Sequence, residues 1–175
     1  MSVIDLGGTT EFWKAASLKP ANLVIVNLEA LAPAPDIETL RADACALAGF
    51  NRTFDLVFSN SLLEHVGGWQ RRLQLAEVIH RLAPNHSIQT PYRYFPIEPH
   101  WLFPGFQFLP LAARVAVARR WRIAHQQPRS RREAIEQIAQ VDLVGRTEMS
   151  HLFPDSEILI ERFAGLPKSL VAVKH

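Results

Sequence analysis

The first candidate for chemistry is a turn near the start of the chain, in the stretch VIDLGGTTEFW. Asp5 closes an apolar run there, and Gly7 and Gly8 follow it. Glycine lacks a Cβ, so the backbone can turn sharply and a ligand can press against it. Thr9 and Glu11 stand where nucleotide-binding turns usually carry further glycine. The stretch alone therefore leaves three interpretations open: a nucleotide site, a degraded one or an ordinary tight turn.

Two later stretches carry polar groups that suit the same kind of ligand. Asn27 and Glu29 follow a second apolar run, and either could accept hydrogen bonds from ribose hydroxyls. Asp43, with Ala44 beside it, could accept a hydrogen bond from an adenine amino group. Each signal is weak alone, whereas their order and spacing together indicate one nucleotide-like site at the carboxyl ends of neighbouring strands.

The elements that must position these residues alternate between short apolar runs and helix-like runs. This alternation predicts an α/β fold with a mostly parallel sheet. Strands are expected at 3–6, 22–26, 54–59 and 87–90, helices at 10–16, 70–82, 111–123 and 131–140, and a short strand or helical turn at 37–40. The last two strands, 157–163 and 169–174, are joined by a turn at 164–168 that is too short for a crossover helix, so they should pair antiparallel.

The segment 91–110 interrupts this pattern with five prolines and seven aromatic residues. It cannot form a regular helix or a central strand. Long irregular segments inside a small domain are usually functional. We expect Tyr92, Tyr94, Phe95 and Trp101 to shape an apolar pocket, although packing without a ligand explains them equally well.

Composition limits the class of protein. A chain of 175 residues with 48% hydrophobic residues and a net charge of +2 fits a single soluble domain, residues 1–175. One cysteine, Cys45, excludes an internal disulfide and a cysteine-rich metal site. With no signal peptide and no uninterrupted apolar span, the chain is predicted to be cytoplasmic.

Arginines concentrate between Arg114 and Arg132. A solvated helix face and loop explain them best, and weak contact with an anionic membrane surface or an acidic substrate is the alternative. No nucleic-acid partner is expected, because the chain has no recognition motif and no interleaving of aromatic and basic residues. The oligomeric state stays open, with a homodimer among the options.

The ordered motifs VIDLGGTTEFW, VNLE, ADA and FDLVFSNSLLEHVGGW resemble those of class I S-adenosylmethionine-dependent methyltransferases. The later stretches HSIQTPYRYFPIEPHWLFP, LFPDSEILIERF and SLVAVK resemble the rest of that family's domain, so nearly the whole chain is covered. The resemblance implies a three-layer α/β/α Rossmann-like sheet, mostly parallel, with an antiparallel last strand. The family usually has a helical segment before the first strand, and we expect that segment to be absent because this strand begins near residue 3.

The resemblance also implies S-adenosyl-L-methionine as cofactor and S-adenosyl-L-homocysteine as product. Its implied contacts lie at the carboxyl ends of the strands: Asp5, Gly7 and Gly8 at the methionine moiety, Glu29 or Asn27 at the ribose, Asp43 and Ala44 at the adenine, and Ser59 and Asn60 near the sulfonium.

Two histidines are candidate catalytic residues for methyl transfer. A base is needed only where the acceptor must lose a proton early, as a hydroxyl would. His65 lies just beyond the implied sulfonium wall, and His100 lies in the proline-rich segment over the expected acceptor pocket. The alternatives are loop-holding hydrogen bonds for His65 and loop packing for His100. No metal site is expected, since no metal-ligand spacing is evident, and His80 and His86 are expected to face solvent.

The sequence therefore predicts an S-adenosylmethionine-dependent methyltransferase that acts on a small molecule, and the aromatic segment favours an apolar or aromatic one. A partner or scaffold protein that kept the fold without catalysis is the first alternative. An NAD(P)-dependent oxidoreductase is the second, and the missing third glycine and the closing antiparallel hairpin count against it.

Overall fold

The computed structural model describes residues 1–47, 49–124 and 127–175. Its strands are β1 Ser2–Leu6, β2 Asn22–Asn27, β3 Ile37–Arg41, β4 Leu56–Asn60, β5 Asn85–Pro91, β6 Ile97–Glu98, β7 Phe103–Pro104, β8 Glu157–Phe163 and β9 Leu166–Lys174. The main sheet has the order β3-β2-β1-β4-β5-β9-β8, and β6 and β7 form a separate two-stranded ribbon. The strands from β3 to β5 are parallel, whereas β9 pairs antiparallel with both β5 and β8.

This topology confirms the predicted mostly parallel sheet with a closing antiparallel hairpin. Residues 37–40, for which a strand and a helical turn were both open, belong to strand β3. The closing turn is shorter than the predicted 164–168, because Ala164 and Gly165 both have positive φ angles of 49° and 81° and reverse the chain between β8 and β9. Strand order reverses at β1, which lies between β2 and β4.

The helices are α1 Thr10–Ala15, α2 Trp69–Leu82, α3 Leu111–Ala118, α4 Arg131–Ala139 and α5 Arg146–Leu152. Helix α3 is shorter than the predicted 111–123, since the N–H groups of Arg120 and Trp121 both bond to the carbonyl of Val117 and tighten its end. Helix α5 was not predicted; Glu148 caps it by accepting a hydrogen bond from the N–H of Gly145 at 2.8 Å.

Alternate residues of β1 build two cores on opposite faces of the sheet, because side chains along a strand alternate in direction. Ile4 and Leu6 belong to the larger core, which includes the apolar side chains of α2 and α5. Val3 packs on the other face with Trp13 of α1. The sheet therefore lies between helical layers, as the three-layer prediction requires.

The segment 91–110 builds a third core with α3 and α4. Trp101 and Phe106 stack with ring centroids 5.1 Å apart and are buried among apolar residues of both helices. Trp101 therefore packs in this core, and it also lines a small cavity of about 90 Å³. Phe95 lines a cavity, and Tyr92 and Tyr94 contact each other edge to face.

Candidate functional site

The turn after β1 is held by a buried carboxylate. The Trp13 indole N–H donates a hydrogen bond to Asp5 Oδ2 at 2.6 Å, which fixes the start of α1 against β1. Gly8 lies so close that a Cβ there would come within 1.8 Å of the same oxygen. Gly7 has a φ of +84°, a left-handed value that glycine adopts without strain. The two glycines are therefore required by this turn whether or not a ligand binds.

Asp5 is unusual in its electrostatics. Burial raises its pKa from 3.8 to about 6, and the hydrogen bond from Trp13 only partly opposes this effect. Its Oδ1 is buried and has no hydrogen-bond partner among the described residues. A buried carboxylate with an unused acceptor costs free energy, which is a pattern found more often at binding sites than elsewhere.

Asn27 connects the end of β2 to the glycine turn. Its side-chain amide donates to the carbonyl of Gly8 at 2.9 Å, and its Oδ1 accepts from the N–H of Glu29 at 3.0 Å. The N–H of Gly7 donates to the carbonyl of Val26 at 2.8 Å. Glu29 itself is exposed. Of the two candidates for the ribose, Asn27 is thus beside the turn, and Glu29 projects toward solvent.

Asp43 follows β3 and is paired with a residue that the sequence did not single out. Arg71 Nη2 contacts both carboxylate oxygens at 2.7 Å, and the N–H of Cys45 donates to Oδ1 at 2.9 Å. Partial burial raises the pKa of Asp43, but these hydrogen bonds outweigh it and leave the pKa below its ordinary value. Asp43 therefore stays ionised, and Ala44 beside it is buried.

Some of these residues line a cavity of about 230 Å³, here called the turn cavity, whereas Asp5, Gly8 and Glu29 are not part of its lining. It lies at the carboxyl ends of β1, β2 and β3, where ligands bind in sheets of this kind. Its lining is partly apolar and includes the predicted residues Gly7, Asn27, Asp43, Ala44 and His65, together with Val26, Leu28, Ala42, Ser61, Leu62, Val66 and Arg71.

Ser59 and Asn60 lie in different surroundings, although both were predicted near the sulfonium. Ser59 is buried, and its hydroxyl donates to the carbonyl of Leu6 at 2.9 Å, which ties β4 to β1. Asn60 is exposed and lines a larger cavity of about 620 Å³, here called the outer cavity. Ser61 lines both cavities, so they adjoin each other. The outer cavity is otherwise lined by Gln89, Pro91, Phe95, Ile97, Pro99, Leu102, Glu161, Phe163, Lys168 and Ser169.

The two candidate catalytic histidines are brought together although they are far apart in sequence. His65 Nε2 and His100 Nε2 are 3.2 Å apart, and the rings meet edge to face. His100 Nδ1 bonds to Glu98 at 2.7 Å. Burial lowers the pKa of His100, but the Glu98 hydrogen bond and the nearby carboxylates of Glu98 and Glu64 outweigh it and leave the pKa above its ordinary value.

Several residues at the site escaped the sequence analysis. Trp13 was part of a quoted motif, yet nothing in the letters indicated its bond to Asp5. Arg71 opens a helix, and only the fold brings it to Asp43. Glu64 and Glu98 are both buried acids next to the histidines. A buried acid cannot be recognised from one sequence, since charged residues are mostly exposed.

His86 is a residue whose exposure was predicted incorrectly. It was expected to face solvent, but it lies within β5, is buried, and its Nε2 contacts Ser156 Oγ at 2.7 Å. Burial, followed by the positive charges of His80 and Lys174, lowers its pKa to about 4, so His86 is neutral at physiological pH. The prediction for His86 is therefore wrong, whereas His80 is exposed as expected.

The residues of the glycine turn and of the turn cavity fit the cofactor that the resemblance implies. Asp5 has an unused buried acceptor at the turn, which suits a cationic group such as an ammonium. Asp43 is held ionised at the far side, where it can accept further hydrogen bonds. At Gly7 the cavity wall consists of backbone, because glycine has no side chain.

Comparisons with known proteins support the fold. The sequence matches no protein-family model and no curated protein. A protein of Bordetella parapertussis described as a possible exported protein superposes with a TM-score of 0.60 at 17% identity, covering 99% of this chain and 61% of that one. The N-methyltransferase NodS of Bradyrhizobium japonicum gives a TM-score of 0.54 at 10% identity, covering 98% of this chain and 83% of that one.

The mycolic acid cyclopropane synthase CmaA1, solved with S-adenosylhomocysteine, gives a TM-score of 0.55 at 17% identity and covers 93% of this chain. The chain has the fold of the class I S-adenosylmethionine-dependent methyltransferases. It spans only 61% of the Bordetella protein and 56% of CmaA1. At these identities the likeness shows the fold alone, and neither an activity nor a substrate.

The predictions about location and surface contacts concern regions away from the site. No helix in the part of the chain that the structure describes is long and apolar enough to cross a bilayer. Arg119, Arg120, Arg131 and Arg132 are exposed, so the weak membrane contact stays a prediction. Residues 125 and 126 of that stretch lie outside the described residues. The cytoplasmic location, the homodimer and the single-domain organisation also remain predictions.

Proposed function

We propose that the protein is an S-adenosylmethionine-dependent methyltransferase that acts on a small molecule. The observation that carries this proposal is the pair of adjoining cavities. The turn cavity lies at the strand ends where this fold holds its cofactor, and Ser61 is shared with the larger outer cavity. Transfer of a group from a cofactor to an acceptor requires two binding sites that adjoin each other.

Cofactor binding would rest on a few residues. Asp5 offers its Oδ1 to the methionine ammonium, and the backbone at Gly7 and Gly8 lies against the methionine moiety. Asn27 is the better-placed ribose partner, since it lines the turn cavity and Glu29 does not. Asp43 and Ala44 flank the adenine, with Arg71 holding Asp43 in place.

The acceptor would occupy the outer cavity. Apolar side chains such as Phe95, Ile97 and Leu102 contribute much of its lining, which favours a partly apolar acceptor. Asn60, Gln89 and polar groups at its rim can orient a hydrogen-bonding end. Ser59 is assigned a supporting role, because its hydroxyl is used inside the sheet.

S-adenosylmethionine supplies an activated methyl group on a sulfonium. In the transfer the acceptor atom forms a bond to the methyl carbon while the carbon–sulfur bond breaks. The protein's main contribution is to align the two partners. Where the acceptor is a hydroxyl, the base would be His65, which lines the turn cavity together with Ser61, the residue that the outer cavity shares. His100 lines neither cavity and would act through His65, whose Nε2 is 3.2 Å from its own.

Calorimetry with S-adenosylhomocysteine tests the cofactor assignment. Wild-type protein should bind it, and NAD(P) should produce no thermal shift. Asp43→Ala should weaken binding at least about tenfold, the loss expected for a charged hydrogen bond. Asp36→Ala is the matched control, since Asp36 lies before β3 at the opposite end of the sheet and lines a different cavity.

Binding of NAD(P) in place of S-adenosylhomocysteine would replace the proposal with the oxidoreductase alternative. A screen of acceptors with isotopically labelled S-adenosylmethionine then tests catalysis. Tight cofactor binding without transfer to any acceptor class would favour the non-catalytic partner. Absence of any binding by wild-type protein would overturn the methyltransferase assignment.

A further inference from the structure

Three potential metal ligands from distant parts of the chain converge beside the turn cavity. They are the carboxylate of Glu64 and the imidazoles of His65 and His100, and one ligand atom from each lies within 4.8 Å of the others. The two Nε2 atoms are 3.2 Å apart, and Glu64 Oε1 is 3.9 Å from His65 Nε2. Such separations match those between neighbouring ligands around one metal ion, given metal–ligand bonds of about 2 Å.

The hydrogen bonds of the two imidazoles fix which nitrogen carries the proton. His65 Nδ1 is 3.3 Å from the carbonyl of Gln140, and His100 Nδ1 is 2.7 Å from Glu98 Oε1. A carbonyl and a carboxylate oxygen only accept, so both Nδ1 atoms must donate. Both Nε2 atoms then present lone pairs to each other. Their close approach requires something positive between or beside them, either one further proton or a cation.

Glu64 provides a second and independent indication. Its side chain is fully buried, with 0% of its surface exposed. Thr90 donates to Oε2 at 3.0 Å, whereas Oε1, the atom nearer to His65, has no hydrogen-bond partner in the part of the chain that the structure describes. An unpaired buried carboxylate oxygen next to two imidazole lone pairs is stabilised by coordination to a cation.

A second layer of contacts holds the ligands in place. Glu98 is buried; it accepts from His100 through Oε1 and from the N–H of Trp101 through Oε2 at 2.7 Å. A carboxylate behind a histidine orients the ring and increases its basicity, and this arrangement recurs at zinc sites. The rigid third core around Trp101 thereby positions His100.

We propose that Glu64, His65 and His100 bind a divalent transition-metal ion, with Zn²⁺ the best fit. Two imidazoles and one carboxylate form a ligand set that zinc uses when it keeps a further position open. No metal site was predicted from the sequence, because these ligands are separated along the chain and match no local motif. The site forms only when the proline-rich segment folds back over the loop after β4.

The ion would lie at the edge of the turn cavity, since His65 lines that cavity and its side chain is 37% exposed. Metal binding and proton acceptance by these histidines exclude each other at any moment, because both use the Nε2 lone pairs. The proposal stands independently of methyl transfer, and its test therefore measures metal binding directly.

Tag-free full-length protein, stripped with a chelator and then freed of it, is titrated with Zn²⁺ in a calorimeter. One equivalent should bind to wild-type protein, release protons and raise the melting temperature. Co²⁺ in place of Zn²⁺ should give the visible absorption of a site with nitrogen and oxygen ligands. His100→Ala should abolish binding, and Glu98→Gln should weaken it about 10- to 100-fold through the orientation of His100.

His151→Ala is the matched control, because His151 is an exposed histidine beside Trp69 and should leave Zn²⁺ binding unchanged. Glu64→Gln keeps the shape and the hydrogen bond from Thr90, so it remains informative if the histidine variant fails to fold; it too should bind more weakly. Equal Zn²⁺ binding by wild type and Glu64→Gln, or loss of binding only in His151→Ala, would overturn the proposal. So would wild-type protein that takes up no Zn²⁺, which would leave the extra proton as the bridge between the imidazoles.

Discussion

Asp5 provides a test of the turn that does not depend on finding a ligand. Replacing it with asparagine keeps the shape of the side chain and an oxygen that can accept from Trp13. The change removes only the charge that is buried at high pH. If the site is described correctly, the Asp5→Asn variant should gain stability relative to wild type as pH rises.

The expected size follows from the pKa of Asp5, which burial raises from 3.8 to about 6. The folded protein holds this proton more tightly than the unfolded chain does. The bound proton therefore stabilises the fold fully at pH values below the pKa of Asp5 in the unfolded chain. This stabilisation is lost as pH rises through about 6. A tenfold difference in proton affinity between the two states corresponds to about 1.36 kcal/mol, so the total is about 3 kcal/mol, of which about 1.5 kcal/mol falls between pH 5 and pH 7.5.

Urea unfolding at several pH values between 5 and 7.5 measures this difference. The free energy of unfolding of Asp5→Asn should rise relative to wild type by about 1.5 kcal/mol across that range. Asp55→Asn is the control: Asp55 is exposed, hydrogen bonds from Ser2 lower its pKa, and its effect should be constant there. If the difference in free energy of unfolding between Asp5→Asn and wild type is constant, or falls as pH rises, Asp5 is not a carboxylate whose pKa is raised by burial.

Three further predictions address the framework of the site. Gly8→Ala should cost about 1–3 kcal/mol by overpacking against Asp5, whereas Gly49→Ala, whose Cβ would meet open space, should be nearly neutral in the same urea experiment. Ser59→Ala should cost about 1 kcal/mol by losing its bond to the Leu6 carbonyl, yet calorimetry should give an unchanged affinity for S-adenosylhomocysteine. The wild-type protein should lose stability as pH falls from 6.5 toward 4, because His86 is buried in its neutral form. His86→Gln should make this loss smaller. An equally steep loss in the variant would assign the acid sensitivity to other groups.

The fold could be predicted from the sequence because its signals are local. Buried strands such as Asn22–Asn27 are continuous apolar runs, and α2 has a clear helical period that ends at Pro84. The short distance between the last two strands fixes their antiparallel pairing. The errors lie where tertiary contacts decide. Helix α3 ends early, and α5 has too few residues for its period to be recognised.

The site was predicted less completely, because its decisive contacts join residues far apart in sequence. The order of the motifs identified Gly7, Asn27 and Asp43, which do border one cavity. Nothing in the sequence linked Arg71 to Asp43 or His65 to His100. These pairs depend on where α2 and the proline-rich segment pack, and single-sequence patterns carry no information about that.

Much of the polar chemistry near the turn supports the backbone. Trp13 is bonded to Asp5, Asn27 to the carbonyl of Gly8, and Ser59 to the carbonyl of Leu6. These contacts already fix the path of the chain from β1 into α1. A turn held in this way tolerates Thr9 and Glu11 where other turns have glycine, because close packing is required only at Gly7 and Gly8.

It follows that loss of cofactor binding in variants of these supporting residues would not identify a cofactor contact. Asn27 illustrates the difficulty, since its amide serves the turn and also lines the cavity. Asn27→Asp separates the two roles: it keeps the acceptor for a ribose hydroxyl but removes the donor to Gly8. If Asn27 acts through the turn, this variant should lose stability and affinity together. If its main role is to accept from the ribose, affinity should persist while the melting temperature falls.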